Sequence, residues 1–260
     1  MRAKVVGGRA NGLVLHPVFY LRLLTHILQP DFLYMNILLV SATPFEILPV
    51  QDWLSAHFTS LEEGVFQKNG LTVRILVTGV GITATAWNLG RYLAVQQSDL
   101  ALNVGIAGAF DRSLQLGDVV HVISERFGDL GVEEADGRFT DLFELGLQES
   151  SEPPFVNGLL YNPAAAEYRF LPSVKGLTVH KVHGSQASID AIQQKYPDAQ
   201  VESMEGAAFF YACLQSHIPF LQIRSISNYV EPRNRAGWQL GLAIEALNAA
   251  VVEMIRSLEK

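Results

Sequence analysis

The spacing of apolar positions changes repeatedly along this chain. From residue 36 onward, short continuous apolar runs alternate with stretches of helical period. Ile37-Leu38-Leu39-Val40 predicts a buried strand within Asn36–Ser41. Glu46 to Phe58 puts Ile47, Val50 and Leu54 at helical intervals. Leu71 to Val77 alternates as a strand does, Gly79-Val80-Gly81 predicts a tight turn, and Ile82 to Gln96 a helix. Ala101 to Gly108 reads as a strand opening into a small-residue loop, and Asp118 to Ile123 as another buried strand. The segment 125–175, rich in acids and carrying Pro153-Pro154, is irregular, and such length points to a functional or flexible region. Beyond it the pattern predicts a strand over Leu177–Val182, a helix over Ser188–Lys195, a helix over Glu205–Ser216, a strand over Phe220–Ile226 and a long helix over Trp238–Glu259. This alternation predicts a layered α/β domain with helices on both faces of the sheet. In such folds ligands collect at strand ends.

The first 34 residues do not share the pattern. Gly7-Gly8, Asn11-Gly12, Pro17 and Pro30 interrupt them, and Arg22 and His26 break any signal-peptide apolar region. We expect a poorly ordered leader over 1–34, with Met35 as the natural start, and a single domain over 35–260. Composition narrows the picture further. The 260 residues are 49% hydrophobic and carry a net charge of −7, with no basic block, which argues against nucleic-acid partners. The lone cysteine, Cys213, can form no internal disulfide and fits a reducing, cytoplasmic setting. No apolar run reaches the length of a membrane span.

Three polar groups stand at strand ends. Glu205, in Glu202-Ser203-Met204-Glu205-Gly206-Ala207-Ala208, has small neighbours that let a ligand approach, with Glu202-Ser203 as the expected cap region. A carboxylate accepts two hydrogen bonds at once and suits a vicinal diol. Glu46 follows the first strand between Phe45 and Ile47, apolar neighbours suited to tuning a base that activates water. Asn228, after Ser227, carries both donors and an acceptor and matches a 6-oxopurine edge. Arg233 or Arg235 can pair with a substrate carboxylate, the plainer alternative being an ion pair with Glu231. His183 ends a strand and can face a base. Trp87 and Trp238 read as packing residues. The Gly-rich turns lack the lysine of a phosphate-binding loop.

Taken in order, Ser41-Ala42 with Glu46, Gly79-Val80-Gly81, Asn103 to Gly108, Leu116-Gly117-Asp118, Met204-Glu205-Gly206-Ala207 and Ser225-Ile226-Ser227-Asn228 resemble the purine nucleoside phosphorylase and nucleosidase superfamily. The similarity is greatest to its branch of methylthioadenosine/S-adenosylhomocysteine nucleosidases and futalosine hydrolases. The resemblance implies a three-layer α/β/α sandwich with a central mixed sheet. It implies Glu46 as the water-activating acid, Met204 and Glu205 as ribose ligands, and Ile106, Ala107, Gly108 and Ser227 as further substrate contacts. Adenine-specific members carry an Asp where this chain has Asn228, which favours release of hypoxanthine. Ser227 to Arg235, with Phe127-Gly128-Asp129-Leu130-Gly131, is similar to the futalosine hydrolases, which implies cleavage of futalosine in the alternative menaquinone pathway. We infer, apart from the resemblance, that the benzoate of futalosine would give Arg233 or Arg235 a partner. The resemblance implies a homo-oligomer and calls for no metal or cofactor. The rivals are an adenine-releasing nucleosidase, a phosphorylase and a non-catalytic nucleoside-binding protein.

Overall fold

The computed structural model describes residues 34–166 and 170–259, so the expected leader, apart from its last residue, lies outside the described residues. The first strand, β1 (Met35–Ser41), shows why two layers of helix form. Ile37 and Leu39 point into one apolar cluster and Leu38 and Val40 into another, the period-two alternation of a strand buried on both faces. Against the first face pack α1 (Pro44–His57), through Ile47, Val50 and Leu54, and α5 (Leu240–Leu258), through Leu247, Val251 and Ile255. Against the second pack α2 (Ile82–Leu93), through Leu89, and α4 (Gly206–Gln215), through Phe209, Phe210 and Cys213. The remaining helix, α3 (Gln186–Lys195), joins a smaller cluster through Ile189 and Ile192.

The central strands are β1, β4 (Leu71–Val77), β5 (Leu100–Ala109) and β12 (Phe220–Tyr229), all mutually parallel. On one side β4 continues antiparallel to β3 (Val65–Lys68) and β2 (Thr59–Glu62). On the other, β12 pairs antiparallel with β6 (Val119–Glu125), which pairs in parallel with β10 (Ser173–Thr178). The expected mixed three-layer sandwich is therefore present, with one addition. Strand β11 (Val201–Ser203) pairs with β10 and also antiparallel with β5, so this half of the sheet closes on itself.

Several boundaries differ from expectation. The strand expected over Leu177–Val182 is β10, which starts at Ser173, opposite His121 of β6, and ends at Thr178, opposite Ser203, the last residue of its other partner β11. Glu202-Ser203 does not cap a helix; it lies inside β11, and Glu205 itself holds the N-cap position of α4. The 125–175 segment is not wholly irregular: it contains the hairpin of β7 (Gly131–Glu133) and β8 (Phe139–Asp141), and β9 (Leu160–Tyr161) against β6. Trp87 is 64% exposed and packs no core. No helix among the described residues is long and apolar enough to cross a membrane.

Candidate active site

The C-terminal ends of the four parallel strands converge, and the expected groups sit there. Glu46 is the third residue of α1, whose N-cap is Thr43 with Pro44 following. One carboxylate oxygen, Oε2, accepts from the Thr43 backbone N–H at 3.1 Å, the Thr43 hydroxyl at 2.9 Å and the Ser41 hydroxyl at 3.2 Å. The other, Oε1, accepts from the Ile106 N–H of β5 at 3.1 Å. The side chain is nearly buried, yet it is surrounded by donors. The expected apolar flank is absent on one side, where Phe45 is 61% exposed.

The backbone under Glu46 has its own support. Pro49 lies inside α1, where its ring removes a donor and crowds the preceding turn. The amide of Asn248, from α5, inserts at this point. Its Nδ2 donates to the Glu46 carbonyl at 2.8 Å and its Oδ1 accepts from Val50 N–H at 3.0 Å. These are two groups that an unbroken helix joins to each other.

Glu205 faces the site from the start of α4 and accepts from the Gly81 N–H at 2.9 Å. Burial raises its pKa; the nearby Arg224 and the Gly81 N–H oppose that rise, and Glu46 adds to it. The two carboxylates are thus electrostatic neighbours across the site. Met204 stands beside Glu205, half-buried.

Arg224 on β12 was not anticipated. It is 2% exposed and its Nη1 donates to the Ile223 carbonyl at 3.1 Å; burial lowers its pKa, and the charges of Glu205, Glu125 and Glu46 oppose that fall. Gly105 marks the spot where Arg224 and Glu46 meet. A Cβ there would lie 2.9 Å from Glu46 Oε1 and 3.5 Å from Arg224 Nη1, so only glycine leaves both in place. A legible signal existed: an arginine at a core-facing position of an otherwise apolar strand.

Glu125 lies behind this floor, fully buried. It accepts from Gln222 Nε2 at 2.6 Å and from the Thr178 hydroxyl at 2.9 Å, and burial pushes its pKa up to about 7. Thr178 in turn accepts from the Ala207 N–H at 2.7 Å, which ties the network to the first turn of α4. A Cβ at Gly206 would come within 2.0 Å of Glu125, which explains the glycine after Met204-Glu205.

Asn228 sits just past a bulge in β12, where Ser227 has no partner in the ladder and Asn228 pairs with Gly108. Its Oδ1 accepts from the Ser227 hydroxyl at 2.8 Å and its Nδ2 donates to the Tyr229 carbonyl at 3.0 Å. Ser227 also reaches the Ala107 carbonyl at 3.2 Å. One N–H and one lone pair of the Asn228 amide remain for a ligand. Ile106, Ala107 and Gly108 therefore run between Glu46 and Asn228. Ile106 acts through its N–H on Glu46, and Gly108 leaves room for the Asn228 amide, 3.1 Å from where a Cβ would stand.

Arg233 is exposed, its guanidinium 5.2 Å from the centre of the Trp238 ring. It is not paired with Glu231, which instead takes Arg112 at 3.0 Å.

A mixed sheet closed along one side, with carboxylates and an amide gathered at its parallel strand ends, defines an α/β protein of the nucleoside phosphorylase and hydrolase type. Residues 36–259 match the family described as the Phosphorylase superfamily, and the chain belongs to it. It is 34% identical to the futalosine hydrolase of Streptomyces coelicolor over 161 residues, 62% of this chain and 67% of that protein. It is 33% identical to the futalosine hydrolase of Acidothermus cellulolyticus over 184 residues, 69% of this chain and 73% of that protein. Among solved structures it is similar to the 5'-methylthioadenosine/S-adenosylhomocysteine nucleosidase of Colwellia psychrerythraea in complex with adenine, with a TM-score of 0.69 and 24% identity over 87% of this chain and 97% of that one.

Proposed function

We infer that this protein is an N-glycosyl hydrolase that cleaves futalosine to hypoxanthine and dehypoxanthine futalosine, within the futalosine route to menaquinone. Similarity to futalosine hydrolases over two thirds or more of their length supports the substrate. The observation that carries the reaction is Glu46, held by four donors at the floor of the strand ends, opposite an amide rather than a carboxylate at Asn228. Glu46 orients a water toward the anomeric carbon and takes its proton. Glu205, with Met204 beside it, binds the ribose hydroxyls and makes the attack effectively intramolecular. Asn228 donates to O6 of the purine and receives a proton-bearing N7 as charge develops on the departing base. The charge of Arg224 opposes the rise that burial imposes on Glu205. Arg233 pairs with the benzoate of the substrate.

A phosphorylase reading fits less well, because two carboxylates line the place where phosphate would attack. The working unit is a single domain over 35–260 acting in the cytoplasm. It assembles as a homo-oligomer; the exposed Phe45 and Leu48 of α1, Val80 in the turn before α2 and Trp87 within α2 support a covered apolar surface. Incubation with futalosine, inosine and methylthioadenosine, with and without phosphate, tests the reading by chromatography. Phosphate-independent release of hypoxanthine from futalosine is expected. Release of adenine alone, or of a ribose 1-phosphate product, overturns it.

A further inference from the structure

The reaction inferred above leaves one proton without a source. Hypoxanthine departs readily only if a ring nitrogen is protonated as the bond to the sugar breaks. An amide at position 228 donates a hydrogen bond, but it has no proton to give up.

Glu202 stands on β11 directly opposite Gly108 of β5, and Gly108 borders the Asn228 amide. Its carboxylate is almost fully buried and is hydrogen-bonded to Nδ1 of His183. The same carboxylate accepts from the His183 backbone N–H, at 3.1 Å and 3.3 Å to its two oxygens. Ring and backbone of His183 are therefore both fixed by one acid. The loop is fixed a second time, because the Gly184 carbonyl accepts from the Arg233 N–H at 3.0 Å, on the segment that follows Asn228. The His183 side chain is 13% exposed, and Nε2, on the ring edge away from Glu202, has no hydrogen-bond partner among the described residues. An imidazole held at Nδ1 by a buried carboxylate has its ring orientation fixed, which leaves Nε2 to handle a proton.

We propose that His183, oriented by Glu202, is the catalytic acid that protonates the departing 6-oxopurine. The proposal rests on the hydrolytic reading above. As the bond from the anomeric carbon to N9 breaks, its electron pair passes to the purine, and the Nε2 proton of His183 moves to a purine ring nitrogen. The water oxygen bonds to the anomeric carbon and gives its proton to Glu46. Solvent then returns a proton to His183 and removes one from Glu46, so each turnover consumes one water and no other reagent. Asn228 reads the 6-oxo edge, and His183 supplies the proton that an aspartic acid at position 228 would otherwise carry.

The test uses the full chain and two substrates, futalosine and futalosine methylated at purine N7, whose base leaves without protonation. His183→Gln is expected to lower kcat on futalosine by about 10²-fold, with KM changed little, and to leave the methylated substrate within about threefold of the unaltered enzyme. Glu202→Gln keeps an acceptor for the loop but removes the charge, and is expected to lose roughly tenfold on futalosine alone. An equal loss on both substrates, in either variant, would mean a structural brace and overturns the proposal, as does an unchanged rate on futalosine. If the unaltered enzyme releases no hypoxanthine from futalosine, the hydrolytic reading falls and this proposal falls with it. If it releases hypoxanthine and the variants match it, only the proposal falls.

Discussion

The two ends of the candidate site are built differently. Glu46 is held by donors from β1, from the loop before α1 and from β5, and its backbone is spliced to α5 through Asn248. The Asn228 backbone pairs with Gly108, but its side-chain amide is held, among the described residues, by its chain neighbours Ser227 and Tyr229, just past a bulge. A group anchored from several elements keeps its geometry whatever is bound. A group anchored locally is exchanged at little cost to the fold. The end proposed to activate water is therefore held from several elements, and the end proposed to read the base is where specificity within this fold can change.

The sharpest way to break the comparison is at the rigid end. Glu46→Gln keeps the shape but not the base, and kcat should fall by about 10³-fold or more, read as free hypoxanthine by chromatography. Asn228→Ala should cost roughly 10²–10³ in kcat while thermal stability stays nearly unchanged, because its contacts are local. Equal stability losses in the two variants would erase the contrast.

Glu125 sharpens it from beneath. Burial raises its pKa from 4.5 to about 7. An acid whose folded value is raised binds more protons folded than unfolded between those pH values. Its contribution is thus full below pH 4.5, is lost as pH rises toward 7, and is absent above. The interval corresponds to about 3 kcal/mol. Denaturant unfolding at pH 5 and pH 8 should show that loss in the native sequence and a smaller one in Glu125→Gln. Asn248→Ala, which strips the partner from the Glu46 carbonyl and the Val50 N–H, should lower stability by about 2 kcal/mol in denaturant titration and reduce kcat in parallel. The smallest effect belongs to the exposed rim. Arg233→Gln should raise KM for futalosine about tenfold and leave inosine unaffected, measured by initial rates.

Much of this was readable along the chain because the signals were local. Ile37 to Val40 is a continuous apolar run and became β1; Gly206-Ala207-Ala208 announced a close approach, and Glu125 is what approaches. Glu46, Glu205 and Asn228 were legible as polar residues at the ends of apolar segments. What stayed hidden depended on partners far off in sequence. β2, with all four residues exposed, has no apolar pattern to read. β11 is three residues long, too short for any period, and its Glu202 looked like a helix cap. Its partner His183 lies across a whole helix from it, and Arg224 has charged neighbours only because three separate segments bring them there.

Apolar spacing thus determined the layers, the order of the long strands and helices, and which polar residues stand at strand ends, since each of these follows from how neighbouring residues share one strand or helix. Only the tertiary structure decided the rest: that β11 closes the sheet onto β5, that Asn248 repairs the helix at Pro49, that Arg224 is buried with its Nη1 on the Ile223 carbonyl, and that His183 meets Glu202. Those are contacts between distant segments, settled by which buried charges and backbone groups must find a partner once the sheet has assembled.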